Sequence, residues 1–155
     1  MRLQNKIALV TGAGSGFGRG IATRFAQEGA KVVIADINEQ AAKKVARDIG
    51  DSAIAVVADV SENSDVEAMI QQTVAQWGRL DILVNNAGTT HRNKPMTEVT
   101  EEEFDRIFAV NVKSVFLTAR HGVPLMKEQG HGMILNVAST AGLRPRPGLA
   151  WYNTS

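Results

Sequence analysis

The chain has no cysteine among its 155 residues. That absence excludes disulfides, thiolate nucleophiles and Cys-ligated metals together. It also lacks an excess of charge of either sign: 17 Lys and Arg stand against 16 Asp and Glu, for a formal net charge of +1. Neither nucleic acid nor an anionic membrane is indicated as the main partner by that balance. No stretch approaches the roughly 20 consecutive apolar residues of a membrane span. The opening "MRLQNKIALVTG" offers only Ile7 to Val10 before a glycine, too short an apolar core for a signal peptide. A soluble, cytoplasmic protein acting on a small molecule is therefore expected. Repeats, linkers and low-complexity tracts are missing as well, so residues 1–155 are expected to form part of a single domain. His91, His121 and His131 lack metal-ligand spacing and are expected on the surface or in loops.

What is present is a regular alternation. Ile7 to Val10, Val32 to Ile34, Ile54 to Val57, Ile82 to Val84 and Met133 to Leu135 are short apolar runs rich in β-branched residues. Such runs predict five parallel strands buried on both faces. Between them lie segments of helical period. Asn38 is the expected N-cap of one helix and Gly50 its left-handed C-cap. Ser64 to Glu67 has the form of a capping box, as does Thr100 to Glu103. A further helix is expected from about Val112 to Gln129, kinked or restarted at Pro124. Strand and helix in alternation predict an α/β fold: a doubly wound, Rossmann-like parallel sheet in three α/β/α layers. At least one more strand beyond 135 would complete such a sheet.

The first strand runs into Gly12, Gly14, Gly16, Gly18 and Gly20. A turn of that kind brings backbone N–H groups and a helix N-terminus close to a pyrophosphate, whose charge the helix dipole favours. The spacing departs from G-x-G-x-x-G, because Phe17 stands where the third glycine belongs. Asp36 ends the second strand. A carboxylate there can accept hydrogen bonds from ribose hydroxyls and repel a 2′-phosphate, which favours NAD over NADP; the alternative is a local partner for the next helix. Arg19 and Lys31 are the basic residues that could counter that preference.

The pattern T-G-x-x-x-G-x-G, carried by Thr11, Gly12, Gly16 and Gly18, resembles the short-chain dehydrogenase/reductase family. Further stretches match the same family in order: Asp59-Val60 after the third strand, "NNAG" at Asn85 to Gly88, Asn111 within "VNVKS", and Ser139 and Tyr152 at the family's usual separation. The resemblance covers the chain from Leu3 to Ser155 and is similar to 3-oxoacyl-ACP reductase and glucose 1-dehydrogenase-like members.

The resemblance implies reversible hydride transfer between NAD(H) and a secondary alcohol or ketone. Tyr152 would be the general acid/base, Ser139 would hold the substrate oxygen, and Asn111 would extend a proton relay from a helix kink. Cofactor-binding positions would be Gly12, Ser15, Gly16, Phe17, Gly18, Asp36, Ile37, Asp59, Val60, Asn86, Ala87 and Gly88. A free phenol titrates near pH 10, and the family supplies a lysine four residues after the tyrosine to favour phenolate. That position is the one after Ser155. The chain is thus expected to be the N-terminal portion of a longer single-domain enzyme and to be inactive alone. A homodimer or tetramer is implied through the Val112–Gln129 helix. Two alternatives stay open: an NADPH-dependent 3-oxoacyl thioester reductase, and a truncated, non-catalytic dinucleotide-binding module. "THRNKP" and "LRPRPGLAW" would flank the pocket, with Arg92, Arg144 and Arg146 either attractive to an anion or simply solvated.

Overall fold

Each apolar run forms a strand in the computed structural model, which describes residues 1–155. The strands are β1 (Ile7–Thr11), β2 (Lys31–Asp36), β3 (Ala53–Val57), β4 (Ile82–Asn85) and β5 (Met133–Asn136). All pairs are parallel and the order is β3-β2-β1-β4-β5. In β1, Leu9 stands opposite Val33 on one side and Leu83 on the other. The chain therefore winds from β1 outward to β3, then returns across β1 to place β4. At that reversal the loops leaving β1 and β4 turn to opposite faces and open a crevice at the strands' C-terminal ends.

Alternation along β1 divides the core in two, since successive strand side chains point to opposite faces. Ala8 and Val10 pack with Ala22 of α1 (Gly16–Gln27) and with Ala42 and Val45 of α2 (Glu39–Ile49). Leu9 packs with Val66, Met69 and Ile70 of α3 (Asn63–Trp77) and belongs to the same cluster as Leu117 and Met126 of α5 (Ser114–Glu128). Leu9, Val10 and Leu83 are wholly buried. Burial of each such side chain stabilises the fold by about 1.5–3 kcal/mol, and Leu9→Ala would cost about 2–5 kcal/mol through the cavity it leaves.

Helix ends follow side-chain chemistry in part. Asn38 Oδ1 accepts the Ala41 N–H at 3.0 Å, and Thr100 and Glu103 form a reciprocal capping box at the start of α4 (Glu101–Phe108). Gly50 ends α2 with a positive φ of 86°, but its ψ of −149° lies outside the left-handed helical basin. The expected box at Ser64 does not form. The helix begins earlier, at Asn63, and Asp65 instead accepts the Asp59 N–H at 3.0 Å, tying α3 to the loop after β3.

Of the two outcomes expected at Pro124, a restart does not occur: α5 runs through it. The irregularity lies upstream, where Ala109–Lys113 is a π-helical segment joining α4 to α5. The strands also depart from uniform burial. β3 and β5 are edge strands; β5 pairs only with β4, and Met133 and Leu135 are exposed.

At the opposite end of the sheet from the crevice, Asp81 is buried and accepts the Ile7 N–H at 2.7 Å. Arg79 Nε lies 3.0 Å and His131 Nε2 2.8 Å from the same carboxylate. Burial opposes the charge, but these three partners outweigh it and hold the carboxyl below its ordinary range. No helix is long and apolar enough to cross a membrane.

Candidate active site

Thr11 and Asn86 fasten the two strand ends that frame the crevice. The Asn86 and Ala87 N–H groups donate to Thr11 Oγ1 at 3.0 and 3.1 Å, and that hydroxyl donates to the Val84 carbonyl at 3.2 Å. The Asn86 amide donates to the Thr11 and Gly12 carbonyls at 2.9 and 3.2 Å. A cleft of about 610 Å³ opens above them, lined by Gly12, Ser15, Gly16, Phe17, Asp36, Ile37, Asp59, Val60, Asn86, Ala87 and Gly88. That volume is typical of small-molecule pockets.

The floor suits a phosphate. Ser15 precedes α1 in extended conformation without a side-chain cap, so its hydroxyl does not occupy the first-turn N–H groups. Gly16 has φ of 52°, and a Cβ there would meet nothing within 4 Å, so it would project into open space at the cleft. The absence of that carbon leaves room for an anion at the helix N-terminus. Gly18 does not line the cleft. It is buried beneath it, where a Cβ would run into the Gly12 carbonyl and the Asn86 amide.

Asp36 reaches the cleft wall with its carboxylate already ordered: Oδ2 accepts the Gly14 N–H at 2.8 Å and Oδ1 the Asn38 N–H at 2.9 Å. Each oxygen retains a further lone pair for a hydroxyl donor. Asp59 Oδ1 accepts from the Ser61 N–H and hydroxyl. Phe17 and Ile37 are exposed at the rim and Val60 is buried. Arg19 and Lys31 do not line this cleft; Arg19 pairs with Asp48 at 3.7 Å, and Lys31 donates to the Asp51 carbonyl.

The strand pair β4 and β5 carries the remaining candidates. Asn85 Nδ2 donates to Asn136 Oδ1 at 2.8 Å and the Val137 N–H donates to the Asn85 carbonyl, so the segment leaving β5 emerges beside "NNAG". Ser139 follows on that segment and its Oγ accepts the Ala141 N–H at 3.1 Å, opening a 3-10 turn over Thr140–Gly142. Tyr152 lies on α6 (Ala150–Thr154), which packs against that turn. Asn111 sits inside the π-helical segment. Its Oδ1 accepts the Thr89 N–H at 2.8 Å, and its Nδ2 donates to the Thr89 carbonyl at 2.9 Å and to Ser155 Oγ at 2.8 Å. Ser155 Oγ in turn donates to the Tyr152 carbonyl at 2.9 Å. Asn111 and the Tyr152 helix thus meet beside Gly88 and Thr89, which line the cleft, whereas Asn111, Ser139 and Tyr152 are not themselves among its lining residues.

Two features escape the sequence reading. Arg106, Ala109 and Val110 line the cleft from α4 and the π-helical segment; their spacing of three and four is the signal that could have found them. His91 lies in a loop, one of its two expected places, but not at the surface. It is buried in the loop after β4, with Nδ1 2.7 Å from the Arg92 carbonyl and no partner for Nε2.

Comparison with known proteins agrees with this geometry. The family described as short chain dehydrogenase matches residues 6–155. A 4-formylbenzenesulfonate dehydrogenase of Comamonas testosteroni is 49% identical over all of this chain and 63% of its own length. A 3-ketoacyl-(acyl-carrier-protein) reductase of Brucella melitensis, solved with NADH, superposes with a TM-score of 0.96 at 52% identity, over 98% of this chain and 64% of that one. An NAD+-bound xylitol dehydrogenase gives 0.94 at 31% identity, over 99% and 60%. The chain spans less than two thirds of each of these relatives.

Proposed function

Because the chain belongs to the short-chain dehydrogenase family, we propose that it is the nucleotide-binding and catalytic part of an NAD(H)-dependent oxidoreductase acting on a secondary alcohol or its ketone. The observation that carries the reading is the joining of Asn111, through Ser155, to the helix that bears Tyr152, and through Thr89 to the wall of a cleft with a glycine floor. NAD(H), when bound, supplies the hydride acceptor or donor. Gly16 and the first turn of α1 would receive its pyrophosphate, and Asp36 a ribose hydroxyl. Ser139 would donate a hydrogen bond to the substrate oxygen as charge builds on it, and Tyr152 would exchange the proton with that oxygen. Asn111 would hold the path along which this proton reaches solvent.

Asp36 and the engagement of Arg19 and Lys31 elsewhere support NAD(H) over NADP(H). The likeness to a 3-ketoacyl-(acyl-carrier-protein) reductase favours a second reading, reduction of a 3-oxoacyl thioester. Exposed Val112 and Phe116, on the π-helical segment and α5, support self-association of the full-length protein, which a solution mass would test. The decisive experiment is oxidation of NADH with a ketone and 3-oxoacyl thioester panel by the full-length protein and its Tyr152→Phe variant. A fall in kcat of about 10²–10⁴ with unchanged NADH affinity is expected. Retained turnover would overturn the mechanism.

A further inference from the structure

We propose that Arg144 and Arg146 form an anion-binding arm of the substrate site, so that the substrate is a small molecule carrying a carboxylate, sulfonate or phosphate. This rests on the roles given above to Ser139 and Tyr152. The two arginines stand between those residues in the chain and are tied by their backbones to the neighbours of each. The Arg144 N–H donates to the carbonyl of Thr140, next to Ser139, at 2.8 Å. The Arg146 N–H donates to Asn153 Oδ1 at 3.2 Å and its carbonyl accepts from Asn153 Nδ2 at 3.0 Å, next to Tyr152.

The connecting backbone is held more firmly than an ordinary exposed loop. Pro145 and Pro147 each fix φ and remove an N–H. Asn93 Nδ2 donates to the Pro147 carbonyl at 2.7 Å and the Lys94 N–H to the Gly148 carbonyl at 3.0 Å, clamping the segment to the loop after β4. A solvated arginine needs no such support.

Charge points the same way. Arg2, Arg19, Arg24 and Arg79 have carboxylate partners; Arg144 and Arg146 are exposed and, like Arg47, Arg92, Arg106 and Arg120, have none within 4.0 Å, so it is their place between Ser139 and Tyr152 that sets them apart. Lys94 on the facing loop is neutralised by Glu103 at 2.6 Å; Arg92 on the same loop is not paired. No Asp or Glu lies in residues 129–155, and none lies between Asp81 and Glu98. The two segments that border Ser139 and Tyr152 therefore carry positive charge with no acidic residue of their own. Guanidinium groups on an ordered backbone are suited to bidentate recognition of planar or tetrahedral oxyanions.

The test uses the full-length protein with NADH and ketones in pairs that share a shape and differ in charge: 4-acetylbenzoate against 4-acetylbenzamide, and 3-oxobutanoate against 3-oxobutanamide. The charged member of a pair should have kcat/KM higher by about tenfold or more, through KM, with the preference falling as salt rises. Arg144→Gln combined with Arg146→Gln should bring that ratio towards one. Arg47→Gln combined with Arg120→Gln, two exposed arginines on α2 and α5 with no ion pair, should leave the ratio intact and matches the change in net charge. Equal or lower use of the charged members, their failure to turn over at all, or a preference that survives the double variant would overturn the proposal. Retained turnover in Tyr152→Phe would instead overturn the catalytic reading, so the two failures are distinct.

Discussion

Asn111 Nδ2 lies 2.8 Å from Ser155 Oγ, so one side chain on the π-helical segment links the loop after β4 to the helix that carries Tyr152. Asn111 stands where the helix takes the wider π-helical register, and its side chain meets both the N–H and the carbonyl of Thr89. Asn111→Leu should lower kcat at least tenfold in the full-length enzyme while leaving NADH affinity unchanged. Steady-state kinetics beside a fluorescence titration with NADH would check this, and a variant with normal kcat would reduce Asn111 to a structural tie.

Asp36 sets the second prediction. Its carboxylate is oriented by the Gly14 and Asn38 N–H groups before any ligand arrives, so its charge is presented at no ordering cost. Asp36→Asn should weaken NADH binding about tenfold and narrow the gap between NADH and NADPH. Measured dissociation constants for both nucleotides would decide it, and an unaltered ratio would confine Asp36 to local loop support.

Neighbouring glycines on α1 should respond in opposite directions. Gly18→Ala places a carbon against the Gly12 carbonyl and the Asn86 amide and should destabilise the fold by about 1–3 kcal/mol and disrupt the cleft floor. Gly20→Ala meets nothing within 4 Å and should stabilise the helix by about 0.5–1 kcal/mol. Thermal melts of the two variants side by side would separate a packing requirement from a general glycine effect.

Acid sensitivity should come from Asp81. Because its folded-state pKa lies below the ordinary value of 3.8, its contribution is present above that value and is lost as pH falls through the lower folded one. Asp81→Asn should be less stable at pH 7 by about 1–3 kcal/mol, with a flatter stability profile below pH 4. Denaturant melts across pH 3–7 would show whether the slopes differ.

The strands and cleft were legible because their signals are local and strong. Apolar runs such as Ile7 to Val10 and Ile82 to Val84 admit few other structures, and the glycines after β1 need a reason for their number. The Ser64 box was not legible, because it depended on which of several nearby acids would be recruited by the loop after β3; Asp65 was, and the helix start moved. A restart at Pro124 does not occur, since α5 continues through it with Gly122 and Met126 buried on either side. The buried state of His91 and the entry of Arg106 into the cleft depend on contacts made across the fold, which no window of sequence displays.

The staple between Thr11 and Asn86 joins residues 75 positions apart. The floor is complete only when β4 has been inserted beside β1, so β1 and α1 remain a half-built cradle while the intervening helices and strands are made. Nucleotide affinity in a growing or refolding chain is then a timer for a single event, the return of the chain across β1, and would appear abruptly at that step and not accumulate with chain length.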